Sequence, residues 1–371
     1  MIPRPGLAGP FAVAAALAAA PATAPAQGDR PAVTPVPTVG PVELAQSIPG
    51  RLRTELFREP VDVRVASASG RRDAAGRWVA EALAPLRTPA CRRVLGGLVE
   101  KTTGFADLWP EDDPIARASG PVELLVPEAL PALTPADVES FETRGILPFE
   151  IMLAGEWARA VARRHAGPPP ADPLLRQARA ARLEGVARLA GIALTVQASG
   201  LSLAELGQQV LSADADEAGW PRAALARGAH DPVTRAALRV FAEDGLRWAA
   251  FHFLRGGVDE LIAAIERPGV GPADLLGPGR GSRVDPLPGT GCRLGPRPAA
   301  ALLVGDDDPL WVDEMHDDVW TVRDDGGAAG RLRFSTGSAA RAAADDARNH
   351  GWRVGIEGLV LTVERPRSSG D

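Results

Sequence analysis

Tyrosine is absent from this sequence, and Lys101 is its only lysine, so arginine carries nearly all of the positive charge. The 371-residue chain also lacks a basic excess, because its net charge is -6, and this argues against nucleic acid as a partner. Cysteine is limited to Cys91 and Cys292, with no histidine at the spacing of a zinc site. Whether the two cysteines pair stays open, because a disulfide needs Cα atoms within about 7 Å of each other.

Several catalytic motifs are missing as well. The sequence has no G-x-S-x-G elbow, so a serine hydrolase of that type is unsupported. The glycine-rich stretch 277–282 has no lysine and no following helix signal, so it is not a phosphate-binding loop. No two of the five histidines stand four residues apart, as the histidines of a zinc-binding helix do; they are His165, His230, His252, His316 and His350.

The N-terminus follows the pattern of a secretory signal. Arg4 precedes an apolar run over 7–20, and Ala24-Pro25-Ala26 places small residues at a cleavage site. The run is shorter than the roughly 20 residues of a membrane span, which favours a cleaved signal peptide over 1–26. An uncleaved N-terminal anchor is the alternative. We therefore expect export to the periplasm or the cell exterior, with no membrane span after signal cleavage.

Periodicity and helix punctuation predict an α+β protein. A Pro/Ala-rich linker over 27–42 precedes a mainly helical body over 43–297, and a small α+β unit over 298–366 closes the chain. Helices are expected at 74–102 (two, broken near Pro89), 149–165, 172–198, 201–211, 231–254, 258–265 and 338–349, the last capped by Ser338. Strands are expected at 61–65, 122–126, 300–304, 319–323, 331–334, 352–356 and 359–364, with a loop over 268–297.

One of these helices carries a spacing known from metal enzymes. Phe149 and Leu153 stand one turn apart on the same face, and Glu150 stands beside them. In an HExxH helix the two flanking positions are histidines that bind zinc, and the glutamate is the general base. A third ligand often comes from a glutamate on a following helix, and Glu184 stands on the next predicted helix.

The order of these features resembles a bacterial family of exported zinc metallopeptidases with an HExxH motif. Glu150 matches the base, and Glu184 matches the glutamate of the family's EGEA-like segment. Asp244-Gly245, Gly256-Gly257 and Leu276-Gly277-Pro278 match its later DG, GG and LHP segments. The resemblance spans about residues 120–365 and implies a metallopeptidase-like helical body.

The departures from this family remove the metal site. Phe149 and Leu153 replace both zinc histidines, and Gly277 replaces the histidine of the loop. Phenyl and isobutyl groups have no lone pair to offer a metal, and two glutamates alone do not make the nitrogen-rich site that zinc prefers. We therefore expect no cofactor and no bound metal.

The resemblance then leaves vestigial positions. Glu150 becomes a vestigial base and Glu184 a vestigial ligand position; they either face each other, pair with an arginine such as Arg182 or Arg188, or point to solvent. The residues expected along the vestigial cleft are Phe149, Leu153, Asp244 and Gly245.

Three functions stay open on these grounds. The first is a catalytically inactive metallopeptidase homologue, an exported binding or scaffold protein that holds a peptide or protein in the vestigial cleft. The second is a metal-dependent peptidase with an unorthodox site, with Glu150 as base and a metal held by Glu184 and a distant His or Asp. The third is a structural envelope protein. The missing zinc ligands favour the first.

An acidic stretch over 306–318 offers oxygen ligands for a hard cation such as calcium. It lacks the ligand spacing of an EF-hand loop. We interpret it as a solvated acidic surface.

Overall fold

The computed structural model of this chain describes residues 40–52, 58–96, 117–118, 123–130, 145–198, 231–277, 287–305 and 309–365, with single positions between 132 and 143. It confirms a mixed α+β fold that is mostly helical. The helices are α1 (Pro41–Arg51), α2 (Ala68–Ala82), α3 (Pro89–Leu95), α4 (Pro148–Ala166), α5 (Pro173–Ala198), α6 (Pro232–Arg239), α7 (Gly245–Glu266), α8 (Pro272–Leu276), α9 (Pro296–Val304) and α10 (Gly337–Asn349). The strands are β1 (Asp62–Val65), β2 (Arg117–Ala118), β3 (Glu123–Val126), β4 (Met315–Val322), β5 (Ala328–Phe334), β6 (Arg353–Glu357) and β7 (Val360–Arg365).

The centre of the helical body is the pair formed by α4 and α5, which pack together along their length. Pro148 starts α4, where a proline loses no helical hydrogen bond, and Gly167 follows its end at φ 64°. A short connection leads to α5, whose first turn is capped by Asp172: its Oδ1 accepts from the backbone N–H of Leu174 at 2.8 Å. Nearly every residue of α5 between 177 and 196 is buried, so this helix lies inside the body.

Helix α7 crosses α5 at two glycines. A Cβ atom on Gly185 would lie 1.8 Å from the carbonyl oxygen of Gly245, and one on Gly245 would lie 2.0 Å from that of Ala181. Both positions therefore need glycine for the two backbones to touch. Further along, α7 is interrupted by non-helical backbone at Gly256 and Gly257, where the sequence predicts a helix end.

Two small sheets complete the fold. In the N-terminal sheet β3 pairs in parallel with β1 and antiparallel with β2. The C-terminal sheet has four antiparallel strands in the order β4-β5-β7-β6, and α10 packs against it. A Cβ atom on Gly330 would lie 2.5 Å from the ring of Trp320, so the ring can pack against β5 only because this residue has no side chain. The buried residues of both parts form one continuous hydrophobic cluster.

The sequence-based assignment is wrong at the start of the C-terminal unit. Residues 300–304 end helix α9 and are not a strand, and the predicted loop 268–297 contains α8 and the start of α9. A short apolar run that is buried on nearly all sides does not distinguish a strand from a helix. Pro296, with its fixed φ at the first position, favours the helix. The boundary expected at 297/298 falls inside α9, which packs against α6.

Smaller differences concern one helix cap and the segments outside the described residues. Thr336 caps α10, since its Oγ1 accepts from the backbone N–H of Ala339 at 3.2 Å, and Ser338 instead lies inside the helix. The predicted helix 201–211 and the signal segment 1–26 lie outside the described residues. Helix α2 begins at Ala68, six residues before the expected start at 74, and the expected end at 102 lies outside the described residues. The remaining predicted helices and strands lie within a few residues of their expected bounds.

Cys91 and Cys292 form a disulfide, which decides the pairing that the sequence left open. Their Cα atoms lie 4.4 Å apart although 201 residues separate them along the chain. The bond joins α3 to the extended segment that precedes α9.

Candidate functional site

Glu150 lies in the first turn of α4 and caps that helix. Its Oε2 accepts a hydrogen bond from the backbone N–H of Leu147 at 2.8 Å, which satisfies one of the free donors of the helix start. Its Oε1 forms an ion pair with Arg51 at the end of α1, and Arg51 also donates to the carbonyl of Gly145 at 3.0 Å. Glu150 is 3% exposed. One carboxylate oxygen therefore caps α4, and the other holds α1 to the start of that helix.

Phe149 and Leu153, which stand at the histidine positions of the expected motif, lie in the hydrophobic core. They are 4% and 0% exposed and belong to the continuous core cluster. Their side chains pack α4 into the body, because apolar residues spaced one turn apart lie on the same face of a helix.

Glu184 on α5 pairs with Arg159 on α4. The ion pair joins Arg159 Nη2 to Glu184 Oε2, and Arg159 Nε lies 3.2 Å from Glu156 Oε2 on the same helix. All three side chains are at most 2% exposed. Arg159 also lies over the ring of Trp78, with Cζ 5.6 Å from the ring centre. We call Glu156, Arg159 and Glu184 the buried triad.

The buried triad excludes two of the arrangements considered for Glu150 and Glu184. Nine residues separate Glu150 from Arg159, which is two and a half helical turns and about 13 Å of rise, so these side chains leave opposite sides of α4. Glu150 and Glu184 therefore do not face each other, and both are buried rather than solvated. Each pairs with an arginine, but Arg182 is not the partner seen here: it donates to the carbonyls of Ala264 and Ile265 near the end of α7.

The buried triad repeats the spacing of the expected motif six residues further along α4. In the window Gly155-Glu156-Trp157-Ala158-Arg159, glutamate holds the second position and Arg159 the fifth, on the same face as Gly155. In this register Glu184 on the next helix is in direct contact with Arg159, the fifth residue of the window. Glu156 and Arg159 were missed by the sequence analysis. The sequence does show a second glutamate on the same helix, which could have drawn attention to this window. It does not show which residues of α4 face Glu184, because the packing of α4 against α5 decides that.

The buried triad belongs to a larger group of charges between α2, α4 and α5. Burial and the positive charge of Arg159 lower the pKa of Arg163, the negative charges of Glu81 and Glu156 oppose them, and the resulting pKa is about 10. Arg179 lies 3.5 Å from Glu81 and donates to the carbonyl of Gly167 at 2.6 Å. Buried charges are costly unless they are paired and hydrogen-bonded, so this group constrains how the three helices pack.

Asp244 and Gly245 also serve the packing of the helical body. Asp244 is 1% exposed, and its two oxygens accept hydrogen bonds from Arg297 Nε and Nη2, both at 2.7 Å. Burial raises the pKa of Asp244, and the charge of Arg297 opposes that rise. Gly245 forms the backbone crossing with α5. The four residues expected along a cleft thus lie in the packed interior: Phe149, Leu153, Asp244 and Gly245.

The buried triad does not fit a zinc ion. A guanidinium has no lone pair for a metal, and its charge repels a cation. In the part of the chain that the structure describes, no three His, Cys, Asp or Glu side chains are grouped so that they could hold a metal. His165 is instead hydrogen-bonded to Glu59 at 2.7 Å, and His252 to Glu260 at 3.0 Å.

The acidic stretch is not solvated at its C-terminal end, which corrects that interpretation. Asp318 is 0% exposed, and its carboxylate accepts from the backbone N–H groups of Leu294 and Gly295, both at 2.8 Å. Burial raises the pKa of Asp318 to about 6, although these two donors oppose the rise. Asp317 forms an ion pair with Arg293. Both aspartates anchor the segment before α9 to β4. Residues 306–308 lie outside the described part.

Comparison with protein-family models, curated proteins and solved structures finds no match for this chain. The resemblance to HExxH metallopeptidases therefore stays a prediction based on the motifs and spacings given above. Over the described ranges, no helix combines the length and apolar character needed to cross a bilayer.

Proposed function

We propose that this chain is an exported, catalytically inactive relative of HExxH zinc metallopeptidases that acts as a binding or scaffold protein. The observation that carries the proposal is the buried triad. In the register 155–159, Arg159 stands at the second histidine position, and its guanidinium pairs with the two carboxylates at the base and third-ligand positions. Gly155, at the first histidine position, offers no ligand.

The chemistry of the buried triad supports the loss of catalysis. Two carboxylates that share a buried place need a cation, which zinc supplies in a metallopeptidase and Arg159 supplies here. A guanidinium stabilises the carboxylates but cannot coordinate and activate a water molecule. Because the three side chains are at most 2% exposed, a peptide bond has no access to them.

Two other features bear on the remaining alternatives. Both oxygens of Glu150 are engaged by Leu147 and Arg51, which argues against a peptidase that uses Glu150 as base. Export is supported by the signal pattern and by the Cys91–Cys292 disulfide, since disulfides persist mainly in oxidising compartments. A partner then binds outside the helical interior, because the residues of the vestigial cleft are packed.

The test rebuilds the metal site in two registers. The mature chain, purified without chelator or metal-affinity tag, is expected to hold no stoichiometric zinc and to hydrolyse no peptide. The double variant Gly155→His/Arg159→His is expected to bind one zinc per chain, with a cobalt spectrum of tetrahedral type that changes when Glu184→Gln is added. The matched control Phe149→His/Leu153→His places the same pair on the same helix, and its metal binding is expected to be indifferent to Glu184→Gln.

Contradictory results are equally clear. One tightly held zinc per unaltered chain, or peptide hydrolysis that Glu156→Gln abolishes, would overturn the inactive assignment. If Gly155→His prevents folding, as judged by circular dichroism, the single variant Arg159→His carries the test. Cobalt binding that depends on Glu184 in that variant supports the register, and its absence contradicts it.

A further inference from the structure

A half-open groove of about 540 Å³ lies on the surface, away from the buried triad. One wall is α3, with Arg93 and Val94, and the opposite wall is the end of β4, with Thr321 and Val322. The extended segment over 289–293 borders the groove as well. The volume falls within the roughly 300–1,000 Å³ that is typical of ligand pockets.

The β4 wall presents unused backbone hydrogen-bonding groups. β4 is an edge strand, and β5 occupies its inner side. On the outer side, Trp320 exchanges two hydrogen bonds with Cys292, at 2.9 and 2.8 Å. Backbone groups of alternate residues face the same side of a strand, so the N–H and C=O of Val322 also face outward. Arg323, one residue later, donates inward to the carbonyl of Gly327, which agrees with this alternation.

The backbone hydrogen bonding on the outer edge of β4 ends after a single residue pair, and the groove begins there. Cys292 pairs with Trp320, but no hydrogen bond joins Thr290 to Val322, the next facing pair within the described residues. At Gly291 a Cβ atom would lie 2.5 Å from the carbonyl oxygen of Trp320, so glycine lets the segment approach β4 there. Among the described residues, no backbone hydrogen bond joins the segment to the strand beyond that point, and Val322 is 43% exposed.

The groove carries positive charge. Arg93 is exposed in the last turn of α3, and its only bond described is a weak one from Nε to the carbonyl of Pro89 at 3.4 Å. Arg293 also borders the groove but is paired with Asp317. No acidic side chain lies among the described residues that border the groove. The guanidinium of Arg93 is therefore placed to bind an anion.

The disulfide joins two walls of the groove. Cys91 lies on α3, between the bordering residues Ala90 and Arg93, and Cys292 lies between Gly291 and Arg293. The distance between α3 and the extended segment is therefore set by a covalent bond. Reduction of this bond releases one wall from the other.

We propose that this groove binds an extended peptide that adds to the free edge of β4 at Val322 and places an acidic side chain on Arg93. Main-chain hydrogen bonds to an exposed strand edge supply affinity that is independent of sequence, and the charge pair supplies selectivity. This inference does not depend on the metallopeptidase resemblance. A chain found to bind zinc or to hydrolyse peptides would leave it intact.

The experiment uses the oxidised mature protein and a displayed library of random octapeptides. Enriched peptides are expected to be rich in Asp and Glu. Synthetic peptides made from them should bind at least tenfold more weakly to Arg93→Glu, while Arg92→Glu is expected to change binding less than threefold. Arg92 is the matched control, because it is also exposed on α3 but lies outside the groove.

Three further measurements address the geometry. Val322→Pro removes the outward N–H and is expected to weaken binding about tenfold, whereas Val322→Thr keeps the N–H and the affinity. Two peptides N-methylated at every second residue, one at the odd and one at the even positions, each lose the N–H donors of one edge. One of the two is expected to lose binding. Reduction of the disulfide is expected to weaken binding at least tenfold.

The proposal is overturned if no peptide is enriched over bare resin, or if the enriched peptides are not acidic. It is also overturned if acidic peptides bind Arg93→Glu as tightly as the unaltered chain. Binding of inorganic phosphate, used as a second probe, without enrichment of any peptide would show a simple anion site and would equally contradict it. Circular dichroism melting of each variant distinguishes a lost groove from a lost fold.

Discussion

Replacing Arg159 with methionine tests the buried triad as a unit. The side chain keeps much of its apolar volume but loses the guanidinium that lies between Glu156 and Glu184, both of which are at most 2% exposed. Removing one partner of a buried ion pair costs about 3–5 kcal/mol, because the remaining charges stay in a medium of low polarity. We therefore expect Arg159→Met to lower the free energy of unfolding by about that amount.

The same reasoning predicts that the lost stability is recovered when both glutamates of the triad are replaced as well. In the triple variant Glu156→Leu/Arg159→Met/Glu184→Leu no charge of the triad is left unpaired, and apolar replacements of buried ion pairs are often neutral or stabilising. Its free energy of unfolding should therefore exceed that of Arg159→Met by at least about 2 kcal/mol. Arg164→Met is the control on the same helix: its side chain is 35% exposed and pairs with Glu59, so the expected cost is about 0–1 kcal/mol.

Urea unfolding followed by circular dichroism measures these differences, provided that the slope with denaturant is the same for all variants. The reasoning is refuted if Arg159→Met costs no more than Arg164→Met. It is also refuted if the triple variant is less stable than the single one, because the triad would then be more than a set of mutually compensating charges.

Two further predictions concern the helix crossing and a histidine. Gly185→Ala places a Cβ 1.8 Å from the carbonyl oxygen of Gly245 and should destabilise the protein by about 3 kcal/mol or more. The control is Gly76→Ala in α2, where nothing lies within 4 Å of the added Cβ, and it should stabilise the protein by about 0.5–1 kcal/mol. Thermal unfolding measures both variants, and equal effects on stability would contradict the close crossing of α5 and α7. Burial lowers the pKa of His165, but hydrogen bonds to two glutamates outweigh it, so the pKa is raised. The stabilisation from this charged histidine is fully present below the unfolded pKa of about 6.5 and is lost as pH rises through the folded pKa. His165→Gln should therefore destabilise the protein more at acid than at alkaline pH. A difference in unfolding free energy between the two proteins that does not change with pH would contradict this.

Much of the helical body could be read from local signals. Proline at the first turn, as at Pro148 and Pro232, and the glycine pair at 256–257 act on the backbone directly, so they locate helix starts and breaks without any knowledge of packing. The strands of the C-terminal sheet alternate with a period of two and are equally legible. Residues 300–304 were not, because a short, fully apolar run is compatible with a strand or a buried helix.

The candidate site was readable only in part. Glu184 lies on the helix after α4, as the sequence predicts, whereas Phe149 and Leu153, which were expected along a cleft, are buried in the core. The pairing of Glu184 with Arg159 was not legible, because it depends on how two helices lie against each other. A shift of one turn between them would bring a different side chain to the same place.

Residue types and local periodicity thus established the α+β class, most helix and strand positions, and the lack of histidine pairs at zinc spacing, because each of these depends on neighbours along the chain. The buried triad, the Cys91–Cys292 disulfide and the groove beside β4 depend on contacts between residues 25 to more than 200 positions apart. Such contacts are set by the close packing of whole elements, as where Gly185 meets Gly245, and no local pattern encodes that register.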